Sequence, residues 1–276
     1  MKYDPKQEKQ LMTEIWSLNI KDDPVNFVKF AFPWGQKDTP LEDFEGPRKW
    51  QEKILRDIAV HIQRNQTIDL PEMFRMSVAS GRGIGKSALV AWLILWMLST
   101  RLGATIIVTA NTEQQLRSRT WAELGKWMTL SINSHWFMKT ATTIKPAPWF
   151  QEALERDLKI DTGYYYAQAQ LWSEENPDAF AGIHSSYGVC LIMDEASGIP
   201  APIYSVSEGF FSEPTRDRYW FTFSNPRRNT GPFYDSFHSK RAFWKSLQID
   251  SRTVEGTDQK LFQSMIEQYG ENSTVS

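Results

Sequence analysis

The chain has 276 residues, 41% of them hydrophobic and 23% charged, with a formal net charge of −2, as is typical of a globular protein with one large or two small domains. Its single cysteine, Cys190, excludes an internal disulfide and fits a reducing compartment. The longest apolar run, 88–98, is shorter than the roughly 20 residues of a membrane-spanning helix, and the polar residues 1–9 do not resemble a signal peptide.

The first predicted elements are helices. Apolar residues at helical spacing predict one helix within 4–19, and an aspartate pair followed by proline predicts the start of another over 25–32. A polar loop follows at 36–45, and a third helix is predicted from 46 to 64. We therefore predict an N-terminal helical segment, 1–45, that packs on a larger core.

Trp50 and Gln51 open the third helix and form a possible adenine-binding pair. A glutamine amide can hydrogen-bond the edge of adenine, and a nearby aromatic ring can stack on the base. The pair resembles the Q motif of motor ATPases. The alternative is a helix start with a buried tryptophan and a solvated glutamine, and the sequence does not choose between these interpretations.

A glycine-rich loop joins a predicted strand, 73–79, to a predicted apolar helix, 88–98. The loop reads Ser80-Gly81-Arg82-Gly83-Ile84-Gly85-Lys86-Ser87. This order is typical of a P-loop, the Walker A motif, whose backbone N–H groups surround nucleotide phosphates. Lys86 would reach the β- and γ-phosphates, and the Ser87 hydroxyl would bind Mg²⁺. Ser80 replaces the usual first glycine, so an ordinary glycine-rich turn is the alternative.

The middle of the chain is less regular. A β-branched strand is predicted at 104–109, followed by a helix that ends near 132. The next stretch, 133–187, is rich in aromatic residues, and we interpret it as an insertion at the edge of the sheet. Within it, 159–169 could form a pair of strands, and 172–188 is predicted to be a loop.

An apolar strand at 189–194 ends in two acidic residues, Asp194 and Glu195. A fully apolar run predicts a buried strand of a parallel sheet, and ligands of such sheets bind at the carboxyl ends of the strands. This is the pattern of a Walker B motif, in which Asp194 would hold Mg²⁺ and Glu195 would act as the general base for water. A strand followed by a solvated acidic turn is the alternative, and the glycine-rich loop upstream makes it less favoured.

The remaining pattern alternates between helices and strands. Helices are predicted at 200–211, 231–241 and 259–268, and strands at 218–223 and 242–249. Strands alternating with helices, with the glycine-rich loop after the first strand, predict an α/β fold with a parallel sheet covered by helices on both faces.

Five stretches spread over nearly the whole chain resemble one protein family. They are Ala79 to Ser87, Phe-Ala-Phe-Pro-Trp-Gly at 30–35, Ala-Gly-Ile-His at 181–184, Leu-Ile-Met-Asp-Glu-Ala-Ser at 191–197, and Phe-Ser-Asn-Pro-Arg-Arg-Asn-Thr-Gly at 223–231. Together they are similar to the large terminase subunit of tailed double-stranded-DNA bacteriophages. The resemblance implies a P-loop NTPase fold of the additional-catalytic-glutamate type.

The resemblance also implies a function and partners. It implies an ATP- and Mg²⁺-dependent motor that moves viral double-stranded DNA through a portal protein into a procapsid, in the cytoplasm of the host bacterium. Further implied partners are the small terminase subunit and further copies of the chain, in a ring of five. The net charge of −2 neither supports nor excludes DNA binding, because binding needs only a local basic patch.

Specific residues receive roles from the resemblance. Thr222, Ser224 and Asn225 match a coupling motif that senses the γ-phosphate, although Asn225-Pro226 could also be a simple turn. Arg82, within the glycine-rich loop, matches an arginine that stabilises the transition state. Candidates for such an arginine acting on a neighbouring subunit are Arg216, Arg218, Arg227 and Arg228.

The end of the chain departs from the family pattern. The predicted ATPase core covers 46–250, and the polar residues 251–276 resemble the start of a linker to a nuclease domain, so we do not expect endonuclease activity from this chain. Two other functions stay open from the sequence. One is another nucleic-acid motor such as a helicase, and the other is an ATP-dependent assembly protein.

Overall fold

An eight-stranded sheet forms the centre of the structure, a computed structural model that describes residues 3–180 and 182–270. The strands are β1 (Phe74–Ser80), β2 (Thr105–Thr109), β3 (Phe137–Lys139), β4 (Thr143–Pro146), β5 (Tyr166–Ala169), β6 (Val189–Asp194), β7 (Arg218–Ser224) and β8 (Lys245–Ile249). The α-helices are α1 (Pro5–Ile15), α2 (Leu18–Lys21), α3 (Pro24–Ala31), α4 (Lys49–Gln66), α5 (Lys86–Thr100), α6 (Glu113–Gln115), α7 (Ala122–Leu130), α8 (Pro148–Leu158), α9 (Ala201–Ser207), α10 (Pro232–Asp235) and α11 (Gln259–Tyr269). A π-helical turn, Leu116–Trp121, joins α6 to α7.

The strands lie in the order β3-β4-β5-β2-β6-β7-β1-β8. The six strands from β5 to β8 in this order are parallel, whereas β3 and β4 form an antiparallel hairpin at one edge. The prediction of a parallel sheet is therefore confirmed for six strands and wrong for the hairpin, because an antiparallel pair needs only a short turn whereas a parallel pair needs a crossover. Since β7 lies between β1 and β6, the carboxyl ends of these three strands are neighbours.

Helices cover both faces of the sheet, as the α/β pattern predicts. One hydrophobic core contains residues from α1, α3, α4, α5, α7 and α8, and a second contains residues from α9 and α10. Alternate residues of β6 belong to the two cores: Cys190 and Ile192 face the first, and Leu191 and Met193 face the second. An apolar strand with two buried faces is the expected form in such a sheet.

Helix α5 is the most deeply buried helix of the first core. Every residue from Leu89 to Thr100 is buried, as expected for a helix that is apolar on all sides. Two indole N–H groups connect it to the N-terminal helices. Trp16 Nε1 donates to Ser99 O at 2.9 Å, and Trp96 Nε1 donates to Lys21 O at 2.9 Å. The N-terminal helices and the helix behind the glycine-rich loop are thus held together from both sides.

Two elements of the aromatic-rich stretch differ from prediction. The strand pair predicted at 159–169 is wrong: only β5 forms there, and the residues before it make a turn in which Tyr165 N donates to Thr162 O at 3.2 Å. The hairpin strands are β3 and β4 instead, further towards the N-terminus. Helix α8 has no counterpart in the prediction, although it begins with Pro148 and buries Phe150 and Leu154, which are four positions apart on one face.

The helix predicted at 231–241 is also shorter than expected. Only α10 is α-helical, and a single turn of 3-10 helix, Arg241–Phe243, precedes β8. The Ser236 hydroxyl donates to Phe233 O at 2.6 Å, a local contact that competes with continuation of a helix.

Some predictions fall outside the described residues. Ala181 of the similarity stretch at 181–184 and residues 271–276 of the predicted linker at 251–276 are among them. Among the helices of residues 3–180 and 182–270, none combines the length and the apolar character needed to cross a membrane.

Candidate active site

The glycine-rich loop, residues 80–87, connects the carboxyl end of β1 to the start of α5. Gly85 is the N-cap of α5 and has a φ of 95°, in the left-handed region that favours glycine. A Cβ there would lie 2.7 Å from the amide nitrogen of Gln51, and a Cβ at Gly81 would collide with the Ser251 hydroxyl. The backbone at Gly85 therefore favours glycine, and a side chain at Gly81 would have to displace the Ser251 hydroxyl. The first N–H groups of α5 have no partners within the helix.

The start of α4 holds the loop through its carbonyl groups. The contacts are Trp50 Nε1 to Ile84 O at 3.1 Å, Gln51 Nε2 to Gly85 O at 2.8 Å, and Arg48 Nη1 to Gly83 O at 3.3 Å. The other end of the Gln51 amide accepts from Arg48 N at 2.8 Å, and only 3% of Gln51 is exposed. Three loop carbonyls are thus taken up by side chains at the start of α4, whereas the first N–H groups of α5 lack partners within the helix and form the kind of end that binds anions.

Lys86, the first residue of α5, reaches the end of β7. Its Nζ donates to Asn225 Oδ1 at 2.7 Å. Burial lowers the pKa of Lys86, and the carboxylates of Asp194 and Glu195 act in the opposite direction. The structure thus brings the lysine of the loop, the acidic pair after β6 and the asparagine after β7 into one electrostatic environment, as their strand order predicts.

The Asp194 carboxylate is hydrogen-bonded through both of its oxygens. Oδ2 accepts from Thr120 Oγ1 at 2.7 Å, and Oδ1 accepts from Glu195 N at 2.9 Å. Burial raises the pKa of Asp194 above its ordinary value, while the Thr120 hydrogen bond and the charge of Lys86 lower it. The carboxylate is therefore fixed in orientation and partly removed from water.

The residues that follow Asp194 form a strained turn. Glu195 has a φ of 51°, which is uncommon for a residue other than glycine. Such conformations cluster at functional sites, where the surrounding structure holds them. Ser224 at the end of β7 contributes to this turn, because its hydroxyl accepts from Ser197 N at 3.1 Å and donates to Ser197 Oγ at 2.8 Å. The ends of β6 and β7 are thereby locked together beside the loop.

The other predicted coupling residue, Thr222, lies within β7. Its hydroxyl is 2.7 Å from that of Ser77 on β1, and the residue is buried. Thr222 therefore joins two strands beneath the site, while Ser224 and Asn225 are at the site itself. The role of all three in coupling stays a prediction.

The predicted arginines lie at opposite ends of the sheet. Arg82 in the loop is exposed at the carboxyl end, and so are Arg227 and Arg228, which line a cavity of about 500 Å³ next to β7 and β8. Arg216 and Arg218 lie at the amino end of β7, where both donate to backbone carbonyls. Only the first three are therefore near this chain's own glycine-rich loop.

The donor set fits a magnesium–nucleotide complex. The Ser87 hydroxyl is in the first turn of α5, which follows β1, and the Asp194 carboxylate is at the end of β6, on the other side of β7. Mg²⁺ is typically bound by one or two protein oxygens together with phosphates and water. The loop supplies N–H groups and the positive end of a helix for phosphates. Trp50 and Gln51 support this loop by donating to its carbonyls, and Gly83 and Ile84 are part of the loop itself.

Two residues of the site have no counterpart in the sequence-based prediction. Thr120 contacts Asp194 across 74 positions of the chain, and it lies in the π-helical turn, which has no sequence signature that we could recognise. Arg48 supports the loop from two residues before Trp50. In the sequence, Arg48 is marked only by its position two residues before the Trp50-Gln51 pair.

The chain is similar in sequence to a known phage protein, although no family model matches it. A curated relative from Enterobacteria phage P7, named "Probable terminase, large subunit", is 26% identical over 209 residues, and the match covers 70% of this chain and 39% of the relative. The chain therefore spans well under half the length of this relative.

Two solved structures of the large terminase from a thermophilic bacteriophage have a similar fold. Both are 14% identical in sequence and cover 79% of this chain and 50% of the solved chain, with TM-scores of 0.52 and 0.51. The second of these structures is a complex with ADP. The predicted resemblance to large terminase subunits is confirmed by these matches, and the α/β fold with helices on both faces is confirmed by the structural likeness.

Proposed function

We propose that the chain is the ATP-hydrolysing motor domain of a large terminase subunit and drives double-stranded DNA into a procapsid. The observation that carries the proposal is the contact of Lys86 Nζ with Asn225 Oδ1 at 2.7 Å, beside Asp194 and Glu195. It joins the three strand ends that such an ATPase requires: a phosphate-binding loop, an acidic pair and a group that can respond to the phosphate.

Each polar residue then has a role in hydrolysis. Lys86 and the N–H groups of residues 81–87 bind the phosphates, and Arg82 offsets the charge that develops on them. Glu195 orients water and accepts its proton. Ser87 and Asp194 would hold Mg²⁺, which supplies charge neutralisation and orientation of the phosphates when it is bound.

The base of the nucleotide has a candidate site next to the loop. A cavity of about 320 Å³ lies between α4 and the segment after β8. Its lining includes Lys49, Trp50, Ile249, Arg252, Val254 and Glu255. Trp50 and the aliphatic residues provide an apolar wall of the kind that ligand sites use. Gln51 points its amide at the loop carbonyl, so its predicted pairing with adenine would require a rearrangement.

Coupling to DNA movement follows from competition for Lys86. A bound γ-phosphate attracts the Lys86 ammonium more strongly than the neutral Asn225 amide does. Binding and hydrolysis thus alternately weaken and restore the contact with the segment after β7. This segment continues into Arg227 and Arg228, which are exposed and positively charged, so its motion could reach a phosphate backbone.

The partners and setting of the proposed motor come from the resemblance. They are double-stranded DNA, a portal protein, the small terminase subunit and further copies of this chain in a ring of five, in the cytoplasm of the host bacterium. DNA contacts made through phosphates should be tolerant of sequence and sensitive to salt.

The test is steady-state ATP hydrolysis by the purified chain, with and without linear double-stranded DNA. We expect turnover that is lost in Lys86→Ala and retained in the control Lys126→Ala, whose side chain is 76% exposed. Stimulation by DNA would support a translocating motor. Absence of both turnover and nucleotide binding in the unchanged chain would contradict the proposal.

The same preparation distinguishes the other two functions. DNA-stimulated turnover accompanied by strand separation of a duplex would indicate a helicase. ATP-dependent oligomerisation with no effect of DNA on turnover would indicate an assembly protein.

A further inference from the structure

The π-helical turn between α6 and α7 places a threonine against the acidic end of β6. The turn covers Leu116–Trp121, and Thr120 within it is 2% exposed. Its hydroxyl donates to Asp194 Oδ2 at 2.7 Å. Thr120 is thus a buried polar residue whose hydrogen bond is directed at the residue proposed to hold Mg²⁺.

The contact controls the orientation of the carboxylate. Each carboxylate oxygen has two lone-pair sites. One site on Oδ2 is taken by Thr120, and one on Oδ1 by Glu195 N at 2.9 Å, so the plane of the group is fixed and one lone pair of each oxygen remains. Without the Thr120 hydroxyl, the hydrogen bond that would remain on the carboxylate, among the residues that the structure describes, is the one from the adjacent backbone N–H.

The π-helical geometry explains how a helix residue reaches this position. A π-helical turn contains an extra residue relative to an α-helix, and such turns occur frequently at functional sites. The neighbouring Trp121 points elsewhere, because its Nε1 donates to Thr140 O at 3.0 Å in the hairpin. The turn thus directs Thr120 to the site and anchors its next residue in the edge hairpin.

We propose that Thr120 is a positioning residue that orients Asp194 for Mg²⁺ binding with the nucleotide. The inference rests on the proposed ATPase function. Partners that orient a metal ligand commonly contribute 10- to 100-fold to metal affinity. Loss of the hydroxyl should therefore weaken the binding of Mg²⁺ while leaving nucleotide binding without metal unchanged.

The experiment compares Thr120→Val, which has nearly the same shape without the hydroxyl, with Thr120→Ser, which retains it. Thr129→Val is the control on α7, where an exposed hydroxyl donates to Gly125 O at 2.9 Å. Binding of a fluorescent ADP analogue is titrated with Mg²⁺, and its affinity is also measured in EDTA. Melting temperatures are recorded in EDTA.

We expect the Mg²⁺ concentration for half-maximal enhancement of binding to rise by about tenfold or more in Thr120→Val. Thr120→Ser and Thr129→Val should stay within about twofold of the unchanged chain, and the affinity in EDTA should be the same for all. A purely structural role would instead lower the melting temperature and the affinity equally with and without metal, and that result would overturn the inference.

The outcome also separates the inference from the function on which it rests. Equal Mg²⁺ dependence in Thr120→Val and the unchanged chain overturns the positioning role and leaves the proposed ATPase intact. No binding of the ADP analogue by the unchanged chain, with or without Mg²⁺, overturns both.

Discussion

The two ends of the central sheet are built differently. At the carboxyl end, Lys86 and Asp194 each have one side-chain hydrogen-bond partner within 3–180 and 182–270, and Glu195 has a strained backbone. At the amino end, Arg101 is 7% exposed and is held by two carboxylates, Asp22 at 2.8 Å and Asp217 at 3.0 Å. At the carboxyl end, the charged side chains of Lys86 and Asp194 are hydrogen-bonded to neutral side chains. At the amino end, the buried charge of Arg101 is paired with two carboxylates.

The amino end has the more complete network. Arg101 also donates to the backbone carbonyl of Lys21 and lies 4.6 Å from the centre of the Trp96 ring, and Tyr219 donates to Asp217 at 2.8 Å. Together these contacts join the N-terminal helices to α5 and β7. The amino end of the sheet therefore carries an ion-pair network that holds elements together, and the carboxyl end carries the charged groups at which we propose that the nucleotide binds.

The largest expected effect is at the carboxyl end. Glu195→Gln preserves the shape of the side chain but removes the general base, so we expect turnover to fall by about 10²–10⁴-fold. Nucleotide affinity and melting temperature should stay close to those of the unchanged chain. The measurement combines steady-state hydrolysis with equilibrium binding of a fluorescent nucleotide.

Glu213→Gln, at an exposed position, is the matched control and should retain full turnover. Near-normal turnover of Glu195→Gln would remove Glu195 as the base. A large loss of stability in Glu195→Gln would mean that the carboxyl end has a structural role as well.

The next effect is at the amino end. Arg101→Met keeps much of the packing but leaves two carboxylates without their cation, and breaking a buried ion pair in this way costs about 3 kcal/mol of unfolding free energy. Urea denaturation measures the loss. Turnover per folded molecule should be unchanged, in contrast to Glu195→Gln.

The control is Arg117→Met, which removes an exposed pair with Glu113 at 2.9 Å and should cost less than about 1 kcal/mol. Equal losses for the two variants would mean that the amino-end network contributes no more than a surface pair.

A third prediction concerns backbone strain at the carboxyl end. Gly85→Ala introduces a Cβ at a φ of 95° and 2.7 Å from Gln51, and a strained residue of this kind costs about 1–3 kcal/mol. We expect at least about a fivefold loss of nucleotide affinity, since the loop must shift from its supports on α4. Gly209→Ala is the control, because a Cβ there meets nothing within 4 Å. Unchanged affinity in Gly85→Ala would show that the loop adapts without loss.

The two ends of the sheet differ in how well the sequence predicts them. The carboxyl end is predictable because an apolar strand followed by glycines, or by Asp194 and Glu195, is a local pattern, and parallel strands place such ends together. The ion-pair network of Arg101 cannot be predicted in this way, because Asp22 and Asp217 are 79 and 116 positions away from Arg101 and belong to no common sequence motif. The contact of Thr120 with Asp194 is also not predictable, because the two residues are 74 positions apart and Thr120 lies in a π-helical turn that its sequence does not reveal.

The fold shows the same limit. Strand β2 and helix α5 are apolar runs, and both lie close to their predicted positions. The hairpin strands β3 and β4 have only three and four residues, too few for alternation to identify, and the sequence analysis places a strand pair at 159–169 instead. The aromatic residues that surround it reflect packing: Trp136 is fully buried and lies 4.9 Å from Phe150, centre to centre.

The smallest expected effect is a gain of stability at the carboxyl end. Asp194→Asn removes a carboxylate whose burial disfavours the charged form, while the amide can keep both hydrogen bonds because the Thr120 hydroxyl can also accept. Without nucleotide, we expect the melting temperature at pH 7 to rise by about 2 °C, although hydrolysis is lost.

The pH dependence of this gain tests its cause. Burial raises the pKa of Asp194 above its ordinary value of 3.8, so between these two pKa values the folded state binds more protons than the unfolded state. The contribution of Asp194 to the unfolding free energy therefore falls as the pH rises through this window. The difference in melting temperature between Asp194→Asn and the unchanged chain should be close to zero below pH 3.8 and should grow towards pH 7. A variant that melts lower than the unchanged chain at pH 7 would mean that the attraction between Asp194 and Lys86 outweighs the cost of burying the charge, and that Asp194 stabilises the fold as the amino-end carboxylates do.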